Sequence, residues 1–137
     1  MLRIVYFKNK LVPVKDYINN IFDKSEELIK KGKHSQGKRL NRLGIRILAL
    51  IEHTAENNGI VSMPNGRKLH HYPFYELRQK VSKNLIRIFY FVQDEKDLVL
   101  LHAYNKKEES STPKKELEQA NQNYKLYISN PLKHVYL

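Results

Sequence analysis

One charged residue stands inside an otherwise apolar segment. Arg87 is the only charged side chain between Leu85 and Val92, and apolar residues occupy both alternating faces of this predicted strand. A strand that is apolar on both faces is typical of the interior of a sheet. Because burying an unpaired guanidinium there would cost several kcal/mol, the position indicates that Arg87 meets an opposite charge.

A second arginine is predicted to face the first. If a two-residue turn occupies positions 82–83, Arg78 of the preceding strand lies directly opposite Arg87. Two facing guanidinium groups repel each other unless an anion joins them, and a phosphate would serve. The alternative is a structural ion pair on the diagonal from Glu76 to Arg87. Lys80 follows Glu76 and Arg78 on the same face of the strand.

Two lysines follow the next predicted strand. Lys106 and Lys107 come directly after Tyr104 and Asn105, which puts two ammonium groups at the end of the sheet beside the arginines. A lysine crowded by other cations loses its proton more readily, so this pair is a candidate proton acceptor. The alternative is a solvated turn that leads into a helix.

The chain as a whole is strongly basic. It has 25 Lys and Arg against 14 Asp and Glu, a net charge of +11. Such an excess favours nucleic acid, an anionic membrane surface or an acidic protein as the partner. Part of the excess forms a stripe along one face of a predicted helix, which a solvated outer face explains equally well. The stripe consists of Lys38, Arg39, Arg42 and Arg46.

Apolar periodicity predicts the elements that carry these side chains. The pattern favours an α+β fold, in which a mixed sheet, antiparallel apart from the N-terminal strand, packs against two N-terminal helices and one C-terminal helix. Residues 60–72 are expected to be irregular and residues 130–137 to form a tail. Strands are predicted at 3–7, 74–81, 85–93 and 98–104, and helices from Pro13 to about residue 31, across residues 40–51, and from Thr112 and Pro113 onward.

Several kinds of chemistry are disfavoured. The chain has no cysteine, which excludes disulfides and thiolate zinc sites. The adjacent His70 and His71 diverge on a strand and no HExxH spacing or Gly-rich phosphate loop occurs, so neither a metal site nor a bound cofactor is expected. No apolar stretch approaches the ~20 residues that cross a bilayer. Since no secretory signal is apparent, we expect a cytoplasmic protein with no membrane partner.

Four short motifs together resemble the RelE/HigB-type toxins of type II toxin-antitoxin systems. The similarity is greatest to the phage-related HigB-like branch and covers residues 60–125, with weaker agreement before residue 60. The motifs are YELR at 75–78, RIFYF at 87–91, LLHAYNKK at 100–107, and Thr112-Pro113 followed by residues 116–120.

This resemblance implies one toxin domain over residues 1–137, with a RelE-like compact fold. The implied activity is a ribosome-dependent, metal-independent mRNA endonuclease (an mRNA interferase) that arrests growth. In such enzymes the 2′-hydroxyl attacks the adjacent phosphate, leaving a 2′,3′-cyclic phosphate and a 5′-hydroxyl end. The implied partners are mRNA on the ribosome and a cognate HigA-like antitoxin with a helix-turn-helix domain. Operator DNA would be bound only through the antitoxin complex.

The resemblance also implies roles for individual residues. Arg87 matches the phosphate-binding arginine of the central strand, Arg78 a basic position on the preceding strand, and Lys106 with Lys107 the basic pair after the last strand. Glu76 stands where some relatives have a second lysine, and it is either a general base or an orienting partner for Arg87. The candidates for the acid or base are His102, Tyr104, His134 and Tyr136.

An alternative is a non-catalytic module that binds RNA or DNA through its basic surface. The contacts would then come from the stripe on the second predicted helix, with Lys80 adding to them. A structural phage component is a third possibility, and it predicts neither toxicity nor RNA binding.

Overall fold

The computed structural model describes residues 1–82, 84–107 and 111–137. The described residues form helices and strands in the order that an α+β fold predicts, and this class is confirmed. In chain order the elements are β1 (Arg3–Phe7), α1 (Pro13–Lys30), α2 (His34–Glu56), β2 (Gly66–Lys68), β3 (Tyr75–Val81), β4 (Asn84–Gln93), β5 (Asp97–Lys107), α3 (Lys114–Ser129) and β6 (Val135–Tyr136), with a 3-10 turn at Pro131–Lys133.

The strands form one mixed sheet in the order β2-β3-β4-β5-β1-β6. The pairs β2–β3, β3–β4 and β4–β5 are antiparallel, whereas β1 is parallel to β5. The predicted register between β3 and β4 is confirmed, because Val81 pairs with Asn84 and Arg78 pairs with Arg87. β4 lies inside the sheet, as its two apolar faces predict.

Helices cover both faces of the sheet. α1 and α2 pack on one face, where their apolar residues share a core with Leu77 and Ile88. α3 packs on the other face, where Ala120 and Tyr127 share a second core with Phe89. The side chains of β3 and β4 that alternate with Leu77 and Ile88 therefore face the α3 side. Among the described helices, none is long and apolar enough to cross a membrane.

A β-bulge in β5 decides which of its side chains face α3. Phe89 is opposite His102, but the next residue of β4 is opposite Leu100, so Leu101 is the extra residue. Strict alternation would put Leu101 and Tyr104 on opposite faces. With the bulge, Leu101 belongs to the core beneath α3, while His102 and Tyr104 stack on Phe89 at the same face.

Two short edge strands differ from the sequence expectation. Residues 60–72, expected to be irregular, contain β2, and the expected tail at 130–137 contains β6. These strands have three and two residues, too few for alternation to be visible. They form because β3 and β1 offer backbone groups to pair with, which is a tertiary effect.

Two elements are longer than predicted. Lys106 and Lys107, expected after the last strand, are its final residues because they pair with Leu85 and Asn84 of β4. α2 begins at His34, before its apolar periodicity starts. The polar first turn of α2 is held by a contact with α1 rather than by a buried apolar stripe.

That contact depends on Gly37. The Ser25 hydroxyl of α1 donates a buried hydrogen bond of 2.6 Å to the Gly37 carbonyl. A Cβ on Gly37 would lie 2.8 Å from the Ser25 carbonyl oxygen, which is closer than carbon and backbone oxygen tolerate. A side chain at this position would therefore push the two helices apart.

Gly37→Ala should lower the free energy of unfolding by about 1–3 kcal/mol, because the added methyl group overpacks the contact between α1 and α2. Urea unfolding monitored by circular dichroism measures the change. Ser35→Ala, an exposed position one half-turn earlier, is the control and should stay within about 0.5 kcal/mol of the wild type. Equal unfolding midpoints for Gly37→Ala and the wild type would contradict the proposed close packing.

Candidate active site

An open pocket of about 760 Å³ lies on the α3 side of the sheet, near its β2 edge. Side chains from β2, β3, β4 and the start of α3 line it, together with the segment that follows β2. Its cations come from three neighbouring strands. The residues that line the pocket are Met63, Arg67, Lys68, Leu69, His70, His71, Tyr72, Arg78, Arg87, Ser111, Thr112 and Leu117.

Glu76 lies in the sheet beside this pocket and has no exposed surface. Its carboxylate accepts a hydrogen bond of 3.2 Å from Nε of Arg67, its neighbour across the β2–β3 pairing. Nε of Arg78 lies 3.5 Å from the same carboxylate oxygen, as an ion pair rather than a hydrogen bond. Burying a carboxylate costs several kcal/mol unless cations and donors surround it, and these two arginines supply that compensation.

Arg87 forms the floor of the pocket. Its side chain is one of the largest completely buried groups in the protein, at 1% exposure. Nη1 donates to the Tyr104 hydroxyl at 3.0 Å and to the Thr112 hydroxyl at 3.3 Å, and Nη2 donates to the Lys107 carbonyl at 3.3 Å. The guanidinium is thereby fixed in one orientation, since its fork of donors engages β5 and the chain before α3.

The alternative ion pair between Glu76 and Arg87 is replaced by a different one. Within the described residues, the cations within 4.0 Å of the Glu76 carboxylate are Arg67 and Arg78. Arg87, although it faces Arg78 in the register, turns toward β5 and Thr112. Among the described residues, the facing guanidinium groups therefore have different partners.

Thr112 connects the two sets of partners. Its hydroxyl lies 3.3 Å from Arg87 Nη1, 3.5 Å from Arg67 Nη2 and 3.4 Å from a Glu76 carboxylate oxygen, to which it donates. The sequence predicted that Thr112 and Pro113 cap and begin α3. Instead the helix begins at Lys114 and its N-cap residue is Pro113, whose side chain has no hydrogen-bonding group, while the Thr112 hydroxyl is engaged in the pocket.

Tyr104 places a phenol group beside Arg87. It is opposite Arg87 in the register, is nearly buried, and stacks against Phe89 with ring centroids 5.7 Å apart. Burial raises the pKa of Tyr104 above its ordinary value, and hydrogen bonds with Thr112 and Arg87 offset part of the rise. At neutral pH Tyr104 is therefore a neutral phenol, able to donate a proton and unsuited to act as a phenolate base.

His102 precedes Tyr104 by two residues on β5 and lies on the same face of the sheet. Its Nε2 is 2.8 Å from a carboxylate oxygen of Glu116, in the first turn of α3, and its ring centroid is 6.4 Å from that of Tyr104. Neither His102 nor Tyr104 lines the pocket, but the Tyr104 hydroxyl contacts the pocket floor through Arg87. His102 is thus a neighbour of the site through Tyr104.

The lysines that the sequence predicts for the site lie outside the pocket. The side chains of Lys106 and Lys107 are exposed at the end of β5 and do not line the pocket. Lys107 contributes its backbone carbonyl to Arg87. Lys80 is exposed near the end of β3 and is also outside the pocket.

Two candidates for the acid or base lie far from the arginines. His134 and Tyr136 are at the β6 edge, and β5 and β1 separate β6 from the strand of Arg87. His134 is buried, its Nδ1 donates a hydrogen bond of 2.8 Å to the Lys8 carbonyl, and its ring stacks on Phe7. The hypothesis that His134 or Tyr136 serves this pocket is therefore wrong, because both lie across the sheet from it.

The basic stripe is separate from the pocket. All of its side chains are exposed on α2, which packs on the sheet face opposite the pocket. The sheet lies between the stripe and the arginine pocket. The stripe residues are Lys38, Arg39, Arg42 and Arg46.

Sequence reasoning missed most of the pocket, because only Arg78 and Arg87 among its lining residues were predicted as site residues. Arg67 and Lys68 lie on β2, a strand too short to recognise, and the histidines and Tyr72 follow it directly. The one available signal was the concentration of basic residues and histidines at 67–71, which carries no information on its position in space. Among the described residues, no group of three or more histidine and carboxylate side chains is arranged to hold a metal ion.

The raised pKa of Tyr104 predicts a pH effect on stability. The folded state holds the phenolic proton more tightly than the unfolded state does, so the stabilisation is complete below pH 10 and decreases as pH rises above it. Tyr104→Phe should make this alkaline loss less steep, by up to about 1.4 kcal/mol per pH unit. Urea unfolding between about pH 8 and about pH 11 measures the slope. Tyr136→Phe is a control for the residue change, and an unaltered slope in Tyr104→Phe would contradict the prediction.

Comparison with known proteins identifies the family. A family model described as "Phage derived protein Gp49-like (DUF891)" matches residues 38–125, which include most of α2, all of β2 to β5 and most of α3. A search of curated proteins gives no match. The match covers every strand that contributes a pocket side chain, and this family is a toxin-like one, associated with toxin-antitoxin systems. The chain is therefore a member of the phage-derived Gp49-like family.

Proposed function

We propose that this protein is the toxin of a type II toxin-antitoxin system and that its pocket cleaves RNA. The finer activity is that of a RelE/HigB-type, metal-independent endoribonuclease that cuts mRNA on the ribosome. The observation that carries the proposal is the convergence of Arg67, Arg78 and Arg87 from three adjacent strands on one pocket, with a neutral phenol in contact with its floor. Membership of a toxin-like family supports the same conclusion.

The arginines would bind the scissile phosphate. Guanidinium groups bind phosphate through paired N–H donors, and Arg67 and Arg78 have partly exposed side chains that line the pocket. During the reaction negative charge grows on the phosphate oxygens, and preorganised cations stabilise that charge most when water is displaced. Arg87, fixed beneath them, adds a positive charge at the pocket floor.

The reaction needs two proton transfers. The RNA 2′-oxygen forms a bond to phosphorus and its proton passes to solvent water, while the bond from phosphorus to the 5′-oxygen breaks and that oxygen gains a proton. Tyr104 does not line the pocket, so it would donate the second proton where the leaving oxygen reaches the floor at Arg87; its oxygen accepts a hydrogen bond from Arg87 and its own proton remains. The products are a 2′,3′-cyclic phosphate and a 5′-hydroxyl end.

Glu76 is better suited to orient the arginines than to act as the general base. It has no exposed surface, and each of its carboxylate oxygens already accepts a hydrogen bond, one from Arg67 and one from Thr112. A base must reach the 2′-hydroxyl, whereas an orienting partner only has to hold its cations. We therefore assign Glu76 the orienting role that the sequence left open.

The partners follow from the toxin assignment. A helix-turn-helix antitoxin of the HigA type would hold the toxin inactive in the cytoplasm, and the complex would bind operator DNA through the antitoxin. Acidic contact segments on the antitoxin would complement the +11 charge and accelerate association. The substrate would be mRNA on the ribosome.

Arg78→Ala should remove growth arrest and mRNA cleavage on induced expression, because it deletes a pocket cation. Arg87→Lys should also lose much activity, since one ammonium group cannot replace the fork that contacts Tyr104, Thr112 and the Lys107 carbonyl. Primer extension maps the mRNA ends, and thermal unfolding shows whether each variant is folded.

The matched control for this experiment is Arg46→Ala, which removes an exposed arginine on the opposite side of the sheet. It should cleave like the wild type. Wild-type cleavage by a folded Arg78→Ala would count against a catalytic pocket.

A second candidate function is a non-catalytic module that binds RNA or DNA. The observation in its favour is the stripe on α2: its four cations are exposed, and no acidic residue occurs between positions 34 and 51 to neutralise them. Such a module would bind backbone phosphates by charge alone, without cutting.

If the stripe is the main contact, Arg42→Ala should weaken RNA binding and lower the slope of log K against log salt by about one unit, because one phosphate contact is lost. Fluorescence anisotropy over a series of salt concentrations measures the slope. Under the endonuclease proposal the larger loss of function belongs to Arg78→Ala, so the same two variants separate the candidates. An unchanged slope in Arg42→Ala would eliminate the stripe as the principal contact.

A further inference from the structure

The pocket is lined by two kinds of side chain. The first kind is the cations of β2, β3 and β4. The second kind is the apolar and aromatic side chains from the segment after β2 and from α3. We call Leu69, Tyr72 and Leu117 the apolar wall.

The pocket is larger than a phosphate needs. Its volume of about 760 Å³ lies within the range of sites that enclose an entire organic ligand, about 300–1,000 Å³. A phosphate held by the arginines would leave the apolar wall in contact with water. The composition of the pocket therefore fits a ligand that carries an anionic group and a flat apolar group side by side.

The apolar wall is held firmly from behind. Leu69, Tyr72 and Leu117 pack against the core beneath α3. The Tyr72 ring lies 5.3 Å from that of Phe74, which is fully buried and contacts Phe89 in turn at 5.4 Å. A wall supported in this way loses little side-chain freedom when a ligand binds, which favours affinity.

We infer that the apolar wall binds one unpaired nucleobase next to the phosphate held by the arginines, so that the substrate is single-stranded RNA. Every base has a π-face that stacks on an aromatic ring, and in a duplex these faces are covered by neighbouring base pairs. This role rests on the proposed function, because it assigns the base-binding side of the same site. Tyr72 is then the principal base-binding residue, and His70, His71 and Ser111 offer hydrogen-bonding groups to the base edges.

The test measures binding of a short single-stranded RNA that carries 2′-O-methyl groups, which removes the attacking hydroxyl and prevents cleavage. The comparison ligands are the same strand with abasic residues and the same strand in a duplex. The full-length protein is compared with Tyr72→Ala, Tyr72→Phe and Arg78→Ala at one fixed salt concentration. Tyr136→Ala, at an exposed tyrosine across the sheet, is the matched control.

The wild type and Tyr136→Ala should bind the intact strand roughly ten-fold or more tightly than the abasic strand or the duplex. Tyr72→Ala should lose this preference, whereas Tyr72→Phe should keep it because the ring remains. Thermal unfolding shows whether Tyr72→Ala is folded. If it is not, the wild-type comparison of intact and abasic strands still decides the question.

Two results would overturn the inference, and they differ in what else they affect. Equal binding of the intact, abasic and duplex ligands, with a loss of affinity in Arg78→Ala, would eliminate the base-binding wall and leave the phosphate-binding arginines in place. Binding that is absent, or equal in the wild type and Arg78→Ala, would overturn the proposed function of the pocket and the base-binding wall with it.

Discussion

The cationic pocket depends on the pairing of its arginines with one buried carboxylate. Arg67, Arg78 and Arg87 come from three adjacent strands of one sheet face, and guanidinium groups so close in a poorly solvated region repel one another strongly. Glu76 lies between the first two, at 3.2 and 3.5 Å, with no exposed surface. The arginines and the carboxylate offset each other's desolvation penalty. Neither charge would be stable in this position without the other.

The surrounding elements give this charge cluster a fixed shape. The short edge strand β2 positions Arg67 across from Glu76, and the interior strand β4 holds Arg87 beneath them. The bulge in β5 keeps Tyr104 on the same face as the apolar residues that support α3. The hydroxyl of Thr112, just before α3, contacts Arg67, Arg87 and Glu76. The start of the helix and the sheet therefore share one polar network.

The sheet divides the basic surface of the protein into two. The pocket opens on the α3 side, while the stripe of α2 is exposed on the other side. The Gly37 contact fixes α2 against α1, and both helices against the opposite face of the sheet. The residues matched by the family model contribute to both surfaces.

The amino-acid sequence by itself determined the α+β class, the register that pairs Arg78 with Arg87, and the interior position of β4, because alternation and a two-residue turn are local signals. The tertiary structure alone decided which carboxylate pairs with which arginine, and it added Arg67, Thr112 and the apolar wall. It also placed His134 at the β6 edge of the sheet, away from the pocket. These features depend on edge pairing, on a one-residue bulge and on the docking of α3. Such contacts join residues far apart in the chain and leave no periodic pattern in it.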